Sequence, residues 1–357
     1  MSLPPSNTSL AYSLPSATPH LTHTPLKPPT PNQLIVKVLV AAVNPCDIQL
    51  WHSPLVGLGR LGREGTMGWD YSGIIAAVGD KMKGNWEAGD EVFGMCEGPA
   101  ARGTFTKYLT VSDKAPIARK PKGWTFEEAA SVPLVTLTAF ACLDRLPPLK
   151  PTAAQRRIVV AGASGGTGMW CIQLAKKVYN CHVVAICSGR NAEFVRGLGA
   201  DDVIDYTTSS VPELLLDYVS EGHKFDLYID CVGGTDMFGT WKRIIQKQGA
   251  YITIVGDKTS RTVPGPPLTY FTYPAQILRH MWSWFSGPRY AAVILYNKSK
   301  YLEQVADLAD KGEVKAVVQE VIEGILEEGK EKKAWERANV LLEEGRIRGK
   351  VVLKIQD

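Results

Sequence analysis

A β-branched run, Arg157 to Gly162 (RIVVAG), leads straight into Ala163-Ser164-Gly165-Gly166-Thr167-Gly168, and a helical pattern follows. The spacing is AxGxxG rather than GxGxxG, but the physics is that of an anion cradle. Gly165 lets the backbone turn tightly and approach a pyrophosphate, Gly168 allows close helix packing, and the helix N-terminus offers free N–H groups at a positive dipole end. Such a triplet alone is equally a plain strand-to-helix turn. Its place after a strand, at the head of a series of strands and helices, is what favours a dinucleotide.

The next strand ends in Cys187-Ser188-Gly189-Arg190-Asn191, with no carboxylate before Glu193. A loop of this kind takes NAD when an Asp or Glu stands about 20 residues on to accept from the ribose hydroxyls. Here Ser188 and Arg190 can instead donate to a 2′-phosphate and neutralise it, so the expected cofactor is NADP(H), with Asn191 in the same turn. The plainer reading of Arg190 is a solvated loop residue. Further on, Asp230-Cys231-Val232-Gly233-Gly234 closes a fourth strand and Gly256 a fifth, positions at which a parallel sheet presents its carboxyl edge to a cofactor. Arg346 and Lys350 are further phosphate candidates.

Holding these residues in place requires a parallel sheet, and the chain has the pattern for one. From about Thr125, strand-like and helical stretches alternate, with strands expected at 157–162, 182–187, 202–205, 226–232, 250–256 and 291–296. The helix expected at 168–180 sets Trp170, Leu174 and Val178 on one face. Before this region the pattern is different. Eight of the 23 prolines precede residue 32, so the first thirty residues read as extended or irregular. Short strands are then expected at 33–43, 71–78, 91–94 and 105–111, an antiparallel or barrel-like arrangement. After Asn297 come a helix at 301–311 and a last strand at 350–355, which is expected to return to the N-terminal domain. The fold class is thus α/β, with residues 1–126 and 298–357 in one domain and 127–297 in a doubly wound six-stranded domain.

Composition narrows the class. At about 150 residues per domain, 357 residues suit two domains. Lys plus Arg number 40 against 36 Asp plus Glu, a net +4 that is too small and too scattered for a nucleic-acid footprint. The seven cysteines form no CxxC or CxxH spacing, which disfavours a disulfide framework and a zinc finger. No basic patch precedes an apolar run at the start, and no apolar stretch approaches the ~20 residues of a membrane span. The expected compartment is the cytoplasm.

Taken together, several motifs resemble the medium-chain dehydrogenase/reductase superfamily. They are Val43-Asn44-Pro45-Cys46-Asp47, Gly68-Trp69-Asp70-Tyr71-Ser72-Gly73, Glu87-Ala88-Gly89-Asp90-Glu91-Val92-Phe93-Gly94, Gly103-Thr104-Phe105, the loop at 162–168, Leu198-Gly199-Ala200-Asp201 with Asp205-Tyr206, and Gly349-Lys350-Val351-Val352. More narrowly they resemble its quinone oxidoreductase-like branch, including fungal and yeast proteins labelled zinc-binding oxidoreductases. The resemblance implies a GroES-like, partly open β-barrel catalytic domain beside a Rossmann domain, and NADPH-dependent reduction of a quinone, enone, enal or enoyl acceptor. It places Asn44 near the nicotinamide or the substrate carbonyl, where a helix-start turn is the alternative role. It sets Tyr206 at a position that contacts the adenosine 2′-phosphate, with helix packing as the alternative. The superfamily's zinc ligands fall here on Asn44, Trp69 and about Leu134, none a ligand of the expected kind, so no metal is expected.

Tyr71, beside the Gly68–Gly73 motif, is a candidate proton donor, with a core tyrosine and proton donation from solvent as the alternatives. Tyr270, Phe271, Tyr273, Trp282, Trp284, Phe285, Tyr290 and Tyr296 crowd one short segment. The resemblance implies that 270–296 lines the substrate cleft, as an aromatic wall for a small apolar electrophilic substrate, or builds a subunit interface; peripheral lipid contact and core packing are the other readings. A monomer or a homodimer is expected. Besides the reductase reading, a nucleotide-binding scaffold without turnover and a tailoring enoyl reductase of secondary metabolism remain open.

Overall fold

The structure is a computed structural model and describes residues 3–53, 64–97, 103–149, 155–220, 224–258, 273–293 and 295–357. The chain forms two compact units, Met1–Leu137 with Asn297–Asp357, and Thr138–Tyr296. The division falls inside the helix Pro133–Leu143.

In the first unit the proline-rich start is a regular antiparallel hairpin, Ser6–Tyr12 (β1) with His20–Pro25 (β2), extended by the short strand Gly65–Thr66 (β4). The prolines sit in the turn and at the strand ends, where a missing N–H costs no ladder bond, so the segment is extended without being irregular. Gln33–Ala42 (β3), Asp70–Val78 (β5), Glu91–Met95 (β6), Tyr108–Ser112 (β7) and Ile117–Arg119 (β8) are joined by two C-terminal strands, Val318–Ile322 (β15) and Lys350–Lys354 (β16). The order is β15-β16-β3-β5-β6-β8, with β7 paired to β3. Register pairs Val352 with Ala42 and Ala42 with Asp70. The chain's end is thereby stitched beside its first long strand, as expected. The inner faces bury Leu34, Val36, Val38, Phe105, Trp335 and Val351.

The second unit holds a six-stranded parallel sheet of Arg156–Ala161 (β9), Cys181–Cys187 (β10), Asp202–Asp205 (β11), Phe225–Asp230 (β12), Ile245–Thr253 (β13) and Arg289–Ala292 (β14). Their order is β11-β10-β9-β12-β13-β14, the doubly wound arrangement with its switch point at β9. The sixth strand lies earlier than the 291–296 expected from sequence, and it sets Tyr290 in the core. The helix Gly166–Lys177 starts two residues ahead of expectation and buries Trp170 and Leu174. Among the described residues no helix is long and apolar enough to cross a membrane.

Candidate functional site

The loop after β9 is built around glycines that a side chain could not replace. Gly162 has φ +72°, the left-handed region that favours glycine. Its carbonyl accepts from the Gly165 N–H at 3.1 Å and closes the turn. A Cβ on Gly168 would stand 2.2 Å from that same carbonyl oxygen, so the helix can meet the strand only without one. The first helical bond is Met169 N–H to Gly165 O at 2.9 Å, which leaves the N–H groups of Gly166, Thr167 and Gly168 ahead of the ladder at the positive end of the helix. A Cβ at Gly165 would meet nothing nearer than the Gly162 oxygen at 3.4 Å, so that face is open to an incoming phosphate.

The turn after β10 is tied to this loop by one buried side chain. The Asn191 amide donates to Ser164 Oγ at 2.9 Å and to Ser188 Oγ at 3.4 Å, while its backbone N–H bonds the Ser188 carbonyl at 2.8 Å. Ser164, Ser188 and Asn191 are thus one constellation, and Arg190 stands exposed between the latter two. Tyr206, 58% exposed, is carried to the same edge by its N–H bond to the Cys187 carbonyl at 3.3 Å. A carboxylate is also present, from an adjacent strand: Asp205 pairs in register with Cys187, and a Cβ on Gly189 would lie 2.3 Å from its Oδ2. That carboxylate accepts from the Thr207 hydroxyl at 2.6 Å and N–H at 2.9 Å, bonds that hold it below the usual carboxylate range. Reading 187–193 alone missed Asp205; the Asp205-Tyr206 pair was visible, but its register with Cys187 was not.

The remaining expected residues of this unit gather at the neighbouring strand ends. Cys231 N–H bonds the Ala161 carbonyl at 3.2 Å, and Val232, 55% exposed, lies against Gly162. Asp230 Oδ1 accepts from the Val232 and Gly233 N–H groups at 3.0 and 2.8 Å, and burial pushes its carboxyl up. Gly233 and Gly256 have φ +88° and +86°, and Gly234 N–H bonds the Gly256 carbonyl at 3.3 Å. Lys258, 2% exposed, follows directly, and burial lowers its ammonium to about 8.

The first unit contains a second polar centre, fully buried. Asn44 donates its amide to Asp70 Oδ2 at 2.9 Å and to the Ala42 carbonyl at 3.4 Å, and the Lys350 ammonium donates to the Asn44 oxygen. Lys350 Nζ also lies 3.4 Å from Asp70 Oδ2, and Asp70 Oδ1 accepts the Leu134 N–H at 2.8 Å. Asn44 N–H donates to Asp47 Oδ2 at 2.7 Å across the start of the helix Pro45–Trp51. Burial pushes the Asp47 carboxyl up to about 7, with the Asn44 N–H and Lys350 opposing, and pushes Asp70 upward against Lys350. Lys350, expected among the cofactor-binding residues, is engaged in this centre by Asn44 and Asp70. Asn44 takes the helix-start role as N-cap of Pro45–Trp51, and its amide is bonded to Asp70 and Lys350. Tyr71 is 0% exposed, its hydroxyl has no partner, and burial drives its ionisation upward, the marks of a core tyrosine. Trp69 and Leu134 offer no metal-donor atom, and among the described residues no group of three His, Cys, Asp or Glu could hold an ion.

A doubly wound sheet with a glycine-rich loop, joined in sequence to a mostly antiparallel unit that takes in the chain's C-terminal strands, is the architecture of a two-unit dinucleotide-binding protein. Comparison with known proteins gives the family. Residues 30–122 match the alcohol dehydrogenase GroES-like domain and residues 198–353 the zinc-binding dehydrogenase model. The mitochondrial NAD(P)H oxidoreductase RTN4IP1 of Mus musculus is 32% identical over 91% of this chain and 82% of its own length. A trans-enoyl reductase of Aspergillus terreus is 31% identical over 92% and 87%. Among solved structures, the quinone oxidoreductase of Coxiella burnetii shares the fold at TM-score 0.75 and 22% identity, covering 98% of this chain and 100% of that one. The chain belongs to the medium-chain dehydrogenase/reductase superfamily, in its quinone oxidoreductase-like branch, and is an oxidoreductase using a nicotinamide cofactor.

Proposed function

We propose that this protein is an NADPH-dependent reductase of acceptors that are already electrophilic, a quinone or an enone, enal or enoyl compound, and that it works without a catalytic metal. The observation that carries this reading is the buried contact of Lys350 with Asn44 and Asp70. Asn44 stands where the superfamily's first zinc ligand would be, and its amide oxygen and nitrogen are both engaged by protein groups. With Trp69 and Leu134 at the other two positions, the donor set does not fit zinc, whatever the domain model's description. Without a Lewis acid, an unactivated alcohol is a poor substrate, and reduction of a conjugated acceptor is the chemistry left.

NADP over NAD is supported by Arg190 and Ser188, which the Asn191 bridge holds beside the phosphate loop, and by the prior engagement of Asp205 with Thr207. The N–H groups at 166–168 would hold the pyrophosphate, Ser188 and Arg190 the 2′-phosphate, and Tyr206 the adenosine edge. When bound, the reduced dinucleotide supplies a hydride. The proton that completes reduction comes from solvent, since the Tyr71 hydroxyl is enclosed. The trans-enoyl reductase of Aspergillus terreus and a chloroplast envelope quinone oxidoreductase homolog of Arabidopsis thaliana, 30% identical, favour the two acceptor classes named.

The cytosol is the proposed compartment, supported by seven free thiols; the mitochondrion, named for several relatives, is the competing outcome of cell fractionation. The activity is tested by tryptophan-fluorescence titration with NADPH and NADH, then NADPH oxidation with a panel of quinones and enones, with and without a chelator. Absent NADPH binding overturns the nucleotide reading, binding without oxidation of any acceptor overturns the reductase, and loss of activity with chelator overturns metal independence.

A further inference from the structure

The helix Pro274–Ser286 is turned inside out relative to an ordinary surface helix. Its inward face is polar: Gln276 and Ser283 are buried, Arg279 is bonded at 2.8 Å to Asp257, and His280 Nδ1 lies 2.8 Å from the Tyr290 carbonyl. Asp257 N–H donates to the Gln276 side-chain oxygen at 3.2 Å, so polar contacts fasten the helix to its unit. Its outward face is apolar. Leu278, Met281, Trp282 and Phe285 recur at i, i+3, i+4 and i+7 and are 67%, 59%, 68% and 89% exposed, with Trp284 at 64%. A soluble surface disfavours such a ridge, and a wall enclosing a ligand is not exposed to this degree. Among the described aromatics of this segment, Tyr290, 1% exposed, is the one buried in the core. Tyr270 and Phe271 lie outside the described residues.

Cations flank the ridge, and Asp257, the nearest acid before it in sequence, is held by Arg279 on the inward face. Neither Asp nor Glu occurs from Lys258 through Leu302, or from Met237 through Gly256. Lys242 Nζ reaches Ser286 Oγ at 3.3 Å, the exposed Lys247 flanks Gly287, and the Arg289 guanidinium lies 4.9 Å from the Trp284 ring centroid. Tryptophan and phenylalanine flanked by Lys242, Lys247 and Arg289 match the boundary of a bilayer whose headgroups are anionic.

We propose that this face docks on an anionic lipid surface, with Leu278, Met281, Trp282 and Phe285 entering the headgroup boundary and Lys242, Lys247 and Arg289 engaging lipid phosphates. The proposal depends neither on the choice of cofactor nor on turnover. The test is flotation of the full chain with phosphatidylcholine vesicles with and without phosphatidylserine, at low and high salt. The expected result is co-flotation with the anionic vesicles alone, weakened by salt. Trp282→Ala/Phe285→Ala and Lys242→Glu/Lys247→Glu should each weaken it by about tenfold or more, with dinucleotide binding and thermal midpoint unchanged. No flotation overturns the proposal, as do equal flotation by both variants or equal flotation on neutral vesicles. A salt-independent dimer that Phe285→Ala makes monomeric, with no vesicle binding, gives the ridge to a second copy and overturns it equally.

Discussion

Lys350 Nζ stands 3.4 Å from Asp70 Oδ2 inside the first unit, although the two are 280 positions apart in the chain. Removing one partner strands a buried charge, which typically costs about 3–5 kcal/mol, whereas removing both costs far less. Lys350→Met should therefore lower the denaturant midpoint sharply, and Asp70→Asn/Lys350→Met should recover much of the loss. A double variant no better than the single one would show that the pair does not hold the strands together.

Asp47 gives the fold a pH dependence of defined sign. Its carboxyl is raised from 3.8 to about 7 by burial, so the folded state holds a proton that the unfolded chain releases. Stability from this group is full at low pH and declines as pH rises from about 4 to about 7, the reverse of a salt-bridged aspartate. Asp47→Asn should flatten that interval in a comparison of thermal midpoints with the parent chain. A pH profile parallel to the parent's would refute the assignment.

Arg190→Glu should raise the KM for NADPH by about tenfold or more while changing that for NADH little, since it places an anion against the 2′-phosphate. Equal changes for both cofactors would remove the NADP preference from this residue.

At Gly168 the added methyl of alanine meets the Gly162 carbonyl at 2.2 Å. Gly168→Ala should displace the phosphate loop and weaken dinucleotide binding by about tenfold or more, with a smaller effect on the melting of the first unit. Fluorescence titration and a thermal melt measure the two effects separately.

Tyr71→Phe removes a hydroxyl that has no partner and is enclosed by the core. Turnover should stay within about twofold and stability should hold or rise, because no hydrogen bond is lost. A fall in kcat with unchanged melting would restore Tyr71 as the proton donor.

What the sequence made legible was local. The strand–glycine–helix junction, the six strand runs and the returning C-terminus were all readable, because periodicity and glycine spacing are set by near neighbours. The side-chain partnerships were not. Asn191 could be placed in the right turn, but its bridge to Ser164 spans two βα loops that only the sheet brings side by side. Asp205 reaches Gly189 through the register of parallel strands, and nothing in Gly349-Lys350-Val351-Val352 reveals Asp70 opposite Lys350. The first thirty residues were blurred by prolines that occupy hairpin ends rather than break the strands.

The seam of β16 against β3 also orders events on the ribosome. Residues 138–296 can complete their own sheet while the C-terminal part is still being translated. In the first unit Asp70 stays without its cation, and residues 40–42 of β3 without their β16 partner, until Lys350 leaves the exit tunnel. A nascent chain stopped short of β16 would expose an unpaired edge at residues 40–42 beside an uncompensated carboxylate, both ready marks for a chaperone or a protease.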